Sequence, residues 1–371
     1  LALAMLGTLG AAARLSSSAR EDAFSLGEKV SGGVPGGVSG GVSKGSPGEG
    51  GAAPQSIDGR WILDFERSEG RVQLTMKRRT SNGSWTNSST YSVQDFRGLS
   101  RPAGAAQAPA RFDIVRDAGT FHFEGRLDES GGAGSFAFAA NPEFERAWRA
   151  MGYGPLADDQ AYSFTVHDIG LKFLEDLRSL GYERVPADQL VAMRIHGASP
   201  EVIRELQALG YERLPVDQLV AMRIHGATPE FVRELKALGY ERVPAEELVA
   251  MRIHGARPDY VRELKSLGYE RIPVQELVAM RIHGASIEFV RELQSLGYSR
   301  VPAEDLVAMR IHGVSPEYIR GLQTLGYRQV PVQTLVAMRI HGVTVDFARK
   351  ARERDPGVSP DELVNLRIHG R

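Results

Sequence analysis

The stretch LVAMRIHG occurs six times without change, at residues 190–197, 219–226, 248–255, 277–284, 306–313 and 335–342. A seventh copy, LVNLRIHG, stands at 363–370. The histidines of the identical copies, His196, His225, His254, His283, His312 and His341, follow one another at a step of 29 residues. A fixed period of this size marks a stacked-repeat architecture. The ordering entropy of one such unit exceeds what its own apolar side chains return on burial. Units must therefore stack and share faces.

Within one unit the residues predict two short helices. In 229–239, Thr228 suits the N-cap, Pro229 the first helical position and Glu230 the positive end of the helix dipole. Phe231, Val232, Leu235 and Leu238 form one apolar stripe, Gly239 supplies a left-handed C′ residue, and Tyr240 can fold back on the last turn. The second helix is expected over about 244–254, closed by Gly255, with Arg252 and His254 in its last turn. Val249, Met251 and Ile253 also alternate, so a strand of the leucine-rich-repeat kind is the alternative. As a helix it carries Leu248 and Met251 on one side and Val249 and Ile253 on another, which predicts packing on two sides. Stepping back by 29 places diverged units at 171–182 (LKFLEDLRSLGY) and 142–153 (PEFERAWRAMGY), with His167 in register with His196. The last unit, with VDFARKARERD at 345–355, has the polar surface of a terminal cap.

Ahead of the repeats, period-two alternation predicts a small antiparallel β domain over 57–140 with one buried and one wet face. It is carried by Trp61, Leu63 and Phe65; Val72, Leu74 and Met76; Phe112 and Ile114; Phe121 and Phe123; and Phe136 and Phe138. Turns are expected at Asn82-Gly83, Asp117-Ala118-Gly119 and Gly131-Gly132. His122, between two phenylalanines, should point to solvent, and Asn87-Ser88-Ser89 matches a glycosylation sequon. Residues 15–56 are rich in Gly, Ser and Pro and read as a tether. Residues 1–14, LALAMLGTLGAAAR, read as the end of a signal peptide or of a transmembrane helix. The fold class expected is α+β: the β domain, then an α-hairpin solenoid over 141–371.

The chemistry-bearing residues are repeated, not clustered. Equivalent histidines on helices packed about 8–10 Å apart cannot share an ion held at about 2 Å, there is no Cys and no HExxH, and helix capping is the expected role of the histidines. No cofactor or catalytic group is expected. Arg194, Arg223, Arg252, Arg281, Arg310 and Arg339 are expected to pair with glutamates of neighbouring helices, such as Glu205, Glu234, Glu263 or Glu292, with Gly321 breaking that series. Arg223, His225, Arg252, His254, Arg281 and His283 thus form a structural ladder. Over 198–342 there are 18 acidic and 18 basic residues, which argues against a nucleic-acid partner. The positions that vary between copies are Asp217, Gln218, Glu246, Glu247, Gln275, Glu276, Gln333 and Thr334. They are the candidate surface for a protein partner, or a record of drift after duplication.

MRIHGATPEFVRELKALGY at 222–240 and MRIHGVSPEYIRGLQTLGY at 309–327 resemble repeats in the extracytoplasmic C-terminal part of bacterial BlaR/MecR-type regulatory membrane metallopeptidases. RDAGTFHFEG at 116–125 and GSFAFAANPEF at 134–144 look like the domain that precedes those repeats. The likeness covers 57–371 and implies an extracytoplasmic sensor or accessory region, periplasmic or secreted. It carries no catalytic residue, since that family's zinc enzyme uses an HExxH helix. The expected function is a non-catalytic sensing or protein-interaction module. The alternatives are the sensor portion of such a peptidase, with its enzyme domain upstream, and a soluble enzyme of other type.

Overall fold

The computed structural model describes residues 57–65, 70–80 and 83–370. The apolar run 1–14 and the tether 15–56 lie outside the described residues. The chain divides into two compact units. One holds 57–204 with 215–220, the other 205–214 with 221–370.

The first unit begins with seven strands: β1 (Ile57–Phe65), β2 (Arg71–Thr80), β3 (Gly83–Ser92), β4 (Phe96–Arg97), β5 (Ala108–Arg116), β6 (Gly119–Leu127) and β7 (Gly131–Ala140). They form one antiparallel sheet in the order β3-β2-β1-β7-β6-β5-β4. Only residues 93–95 separate β3 from β4, although these are the two outermost strands. The sheet therefore curls until its edges approach, and the Tyr91 and Phe96 rings lie 5.7 Å apart. The apolar members of the alternating pairs face inward and are buried, apart from half-buried Phe65. Trp61 crosses the interior and donates its indole N–H to the carbonyls of Glu124 and Ser135, at 3.1 and 3.0 Å. A Cβ at Gly125 would stand 2.7 Å from its ring, so glycine there is what lets the indole lie flat across the strands.

Two details differ from the sequence reading. β3 has few apolar residues and pairs along its whole length with β2, as an edge strand with both faces largely wet. The Gly131-Gly132 pair opens β7, and the turn is made by Asp128, whose carboxylate accepts from Ser130 N, Ser130 Oγ and Gly131 N. His122 is exposed as expected, with Asp113 2.9 Å away.

Sixteen helices follow among the described residues. In the first unit α1 (Pro142–Ala150), α2 (Asp158–Val166) and α3 (Leu171–Ser179) are the diverged helices, and α4 (Ala187–His196) carries the first unchanged LVAMRIHG. Tyr162 of α2 seals the sheet's core, its ring 5.0 Å from Phe121 and 5.3 Å from Trp85, while the Arg78 guanidinium lies 4.2 Å above it. The sheet also caps a helix: Leu171 N donates to the carboxylate of Asp117, in the β5–β6 turn, at 2.8 Å. Arg116 bridges Asp95 and Asp168, and Arg194 reaches Asp168 from the other side, so helices and sheet are joined directly.

α5 (Pro200–Ala208) and α6 (Val216–His225) lead on to α7 (Pro229–Ala237), α8 (Ala245–His254), α9 (Pro258–Ser266), α10 (Val274–Ile282), α11 (Ile287–Ser295), α12 (Ala303–Ile311), α13 (Pro316–Thr324), α14 (Val332–Ile340), α15 (Val345–Arg354) and α16 (Pro360–His369). First helices pack on first helices and second on second, which gives two layers. The expected capping is present: Thr228 Oγ1 accepts from Phe231 N at 3.3 Å, and Gly239 has φ 91°. The second motif is a helix, not a strand. Leu248 and Met251 are wholly buried, and Gly255 ends α8 at φ 76°. Tyr240 does more than fold back, because its hydroxyl donates to the Ile272 carbonyl of the next unit at 2.8 Å.

Candidate interaction surface

Each joint between neighbouring units is built from side chains that reach about one period back or forward along the chain. Contrary to expectation, among the described residues Arg252, Arg281, Arg310 and Arg339 make no ion pair with a glutamate and take a different place. Arg252 stacks over Phe231, 5.2 Å from the ring centroid, and its Nε donates to the His225 carbonyl at 3.2 Å. Arg281 lies over Tyr260, Arg310 over Phe289 and Arg339 over Tyr318, at 4.9 to 5.0 Å. In the first unit Arg194 lies over Phe173 and donates to the His167 carbonyl. The guanidinium therefore sits at the carbonyl end of the preceding second helix, where a cation suits the dipole, with an aromatic ring as its floor. An angular position on a helical wheel says nothing of which neighbour lies there, and that is why the partner was misassigned.

The glutamates pair instead with arginines of their own layer. Glu205 meets Arg233, and Glu234 meets Arg262 at 2.5 Å. Glu263 meets Arg291 at 2.9 Å, and Glu292 meets Arg320 at 2.6 Å. The series ends at Gly321 because Val345 of α15 occupies the space: a Cβ there would stand 2.7 Å from Val345 Cγ2. In the same layer Lys236 and Lys265 donate to the carbonyls of Leu209 and Leu238, and Gln294 to that of Leu267, which caps the preceding first helix.

The two layers present opposite outer faces. That of the first helices is this ladder of exposed arginines and glutamates. That of the second helices is apolar from its middle to its C-terminal end. Ile224, Ile282, Ile311, Ile340 and Ile368 are 40 to 53% exposed, and Ile253 is half-buried. Alanines 221, 250, 279, 308 and 337 lie half-buried beside them. The sequence reading assigned Val249 and Ile253 to a second packed side. Val249 is buried, but the isoleucine row opens to solvent. The available signal was an isoleucine repeated unchanged at a helix C-terminus, off the Leu–Met stripe.

The varying positions lie at the N-terminal border of this face, in the first turns of the second helices. Asp217, Glu246, Gln275 and Gln333 are exposed, and Gln218, Glu247, Glu276 and Thr334 are half-buried. Part of their hydrogen-bonding capacity is already used between units: Gln275 donates to Glu247 at 3.1 Å and Gln333 to Asp305 at 3.0 Å, and the Thr334 hydroxyl lies 3.4 Å from Asp361 Oδ1. Burial and the charge of Glu304 raise the pKa of Glu276, and the same two causes raise that of Asp305. The opposite border carries the histidines. Burial lowers the pKa of His254. Among the described residues no group of three or more His, Cys, Asp or Glu is placed to hold a metal ion, and no helix is long and apolar enough to cross a membrane.

One backbone feature escaped the sequence altogether. Arg213, Arg242, Arg271, Arg300 and Gln329, each two residues before a proline, hold φ between 50° and 55°. Arginine gives no warning of a left-handed turn.

No protein-family model matches this chain, and no curated protein matches it.

Proposed function

We propose that this chain is a non-catalytic protein-interaction module, acting outside the cytoplasm, whose contact surface is the outer face of the second-helix layer. The observation that carries the reading is the half-exposed isoleucine row, one residue per unit, on a face whose counterpart in the other layer carries a ladder of Arg–Glu pairs. Soluble domains rarely leave a contiguous apolar patch of this extent uncovered unless it binds something. A row of identical apolar positions at a fixed spacing suits a long, shallow partner surface, and the varying first-turn residues would set its selectivity at the border. The motif resemblance supports a second reading, the sensor portion of a regulatory metallopeptidase. Sequence upstream of Leu1 in the gene would decide that one, by the presence or absence of an HExxH helix among membrane spans.

The test compares the full chain with an Ile282→Asp, Ile311→Asp variant as bait in periplasmic and membrane extracts. Partners that vanish with the variant support the face as the interaction surface. Capture of the same partners by both overturns it.

A further inference from the structure

We propose that the cavity formed where α1 and α3 end is a binding site for a small organic anion, a carboxylate or phosphate carried on a compact apolar body. The site goes beyond the reading above and does not depend on the isoleucine face.

The cavity has a volume of about 230 Å³ and lies within the first compact unit. That is below the roughly 300–1,000 Å³ of sites for drug-sized ligands, so only a compact molecule fits. Met151, Tyr153, Leu174 and Tyr182 give it an apolar wall. Arg178, in the last turn of α3, and Arg184, in the turn that follows, give it two cations.

Both cations are exposed and unengaged. Among the described residues neither side chain makes a hydrogen bond or an ion pair. Later units show how unusual this is. At the positions equivalent to 178, Lys236, Lys265, Gln294 and Gln323 each donate to the backbone carbonyl 27 residues back. For Arg178 that carbonyl would be Met151 (178 − 27 = 151), and Arg178 makes no such bond. Arg184 holds φ 51°, and its Cδ lies 3.5 Å from where a Cβ on Gly152 would stand, so its stem rests on the glycine. Burial raises the pKa of the Tyr153 hydroxyl, and the Val185 carbonyl and both guanidiniums oppose that rise. The two cations therefore converge on one oxygen at the cavity wall. Glu183 also lines the cavity, so two arginines against one glutamate leave it a net charge of +1.

A guanidinium offers paired N–H donors that match a carboxylate or phosphate, and two of them at one rim favour such a group. A bare inorganic anion would use the cations and leave the Met151, Tyr153 and Leu174 wall in water. An anion with an apolar body covers both.

The molecule carries its own reporter. The Trp148 ring stacks on Tyr153 with centroids 3.6 Å apart, and its indole N–H donates to the Gly154 carbonyl at 3.0 Å. The other two tryptophans, Trp61 and Trp85, belong to the sheet. The experiment titrates the full chain with phenyl phosphate and with benzoate. Binding is followed by calorimetry and by the three indole N–H signals in nitrogen-15 spectra. Benzyl alcohol controls for the ring without the charge, and inorganic phosphate for the charge without the ring.

The expected result is saturable binding of one or both organic anions, tighter than either control, with a shift of the Trp148 signal alone. Arg178→Gln and Arg184→Gln should each weaken it about tenfold, the worth of a charged hydrogen bond, and Glu183→Gln should tighten it. Absence of saturable binding at millimolar probe overturns the proposal. Equal binding of benzyl alcohol overturns the anion, and equal binding of inorganic phosphate overturns the apolar body. Affinity unchanged in the Arg178→Gln, Arg184→Gln double variant, with its far-UV circular dichroism intact, removes the site from this cavity. So does a shift confined to Trp61 or Trp85.

Discussion

Replacing Arg252 by lysine separates the joint seen in the structure from a simple ion pair. Lysine keeps the charge near the carbonyl end of α6 but loses the flat group over Phe231 and the Nε donor to the His225 carbonyl. Stacking of a half-buried cation on an aromatic ring contributes about 1 kcal/mol. A hydrogen bond from a charged donor contributes about 1.5 kcal/mol. The retained charge preserves about 0.5 kcal/mol of interaction with the helix dipole. The Arg252→Lys variant should therefore lose about 2.5 kcal/mol, the sum of the two lost contacts, with the dipole term unchanged. Glu234→Gln removes a pair with Arg262 in which both side chains are about half exposed, and should cost less than about 0.5 kcal/mol. Both are read as shifts in the urea midpoint at constant slope, followed by far-UV circular dichroism. Arrays can open in segments, so amide exchange at Gly226 and Ala227, where α6 ends, gives a local check. If Arg252→Lys is neutral, or Glu234→Gln costs more, the stacked-cap account is wrong and the ion-pair account returns.

Three further outcomes are expected. Arg257 holds the N-cap of α9 without a side-chain bond, where Thr228 and Ser286 supply one at their own helices, so Arg257→Ser should raise stability by about 1 kcal/mol in thermal melts. Gly321→Ala should bring none of the usual gain of about 1 kcal/mol for removing a helical glycine, because its Cβ meets Val345; pairing it with Val345→Ala should recover part of that gain. Burial lowers the pKa of His167 and His254 below the usual value near 6.5, so the unfolded chain takes up protons first. The stability these histidines contribute is present above about pH 6.5 and is lost as pH falls through their folded-state values, and His254→Gln should flatten that slope in melts across this range. Glu230 and Glu288 act in a lower window. Their own backbone N–H groups and the capping hydroxyls hold them below the usual carboxylate range, so their loss begins only as they protonate.

Much of this architecture could be read from spacing alone. Period two placed the buried face of the sheet, and period 29 with Thr-Pro starts and glycine stops placed both helices of a unit, because those signals act within a few residues. β3 was missed because its pairing with β2 needs little from its own polar side chains. The partners of Arg252 and Glu234 were misassigned because a wheel fixes direction within a helix and not what lies opposite. For the same reason a wheel places the isoleucine row on a packed side. Its exposure depends on how far the neighbouring helices reach, which depends on the packing of whole units.

The side-chain bonds that join units from Glu205 onward reach back 27 or 28 residues or forward 25 to 32, and one joint is chemically much like the next. Nothing in such a joint counts. Excising one 29-residue block would bring together two surfaces already shaped for each other, and adding one would do the same. The length of the array is thus free to change by whole units through recombination, without a new core having to be invented. The same indifference has a cost during folding. A helix pair emerging late can dock on any earlier copy, and on the copies of another chain, so order of synthesis and the chemically distinct segments, the β sheet and polar α15, help keep the register.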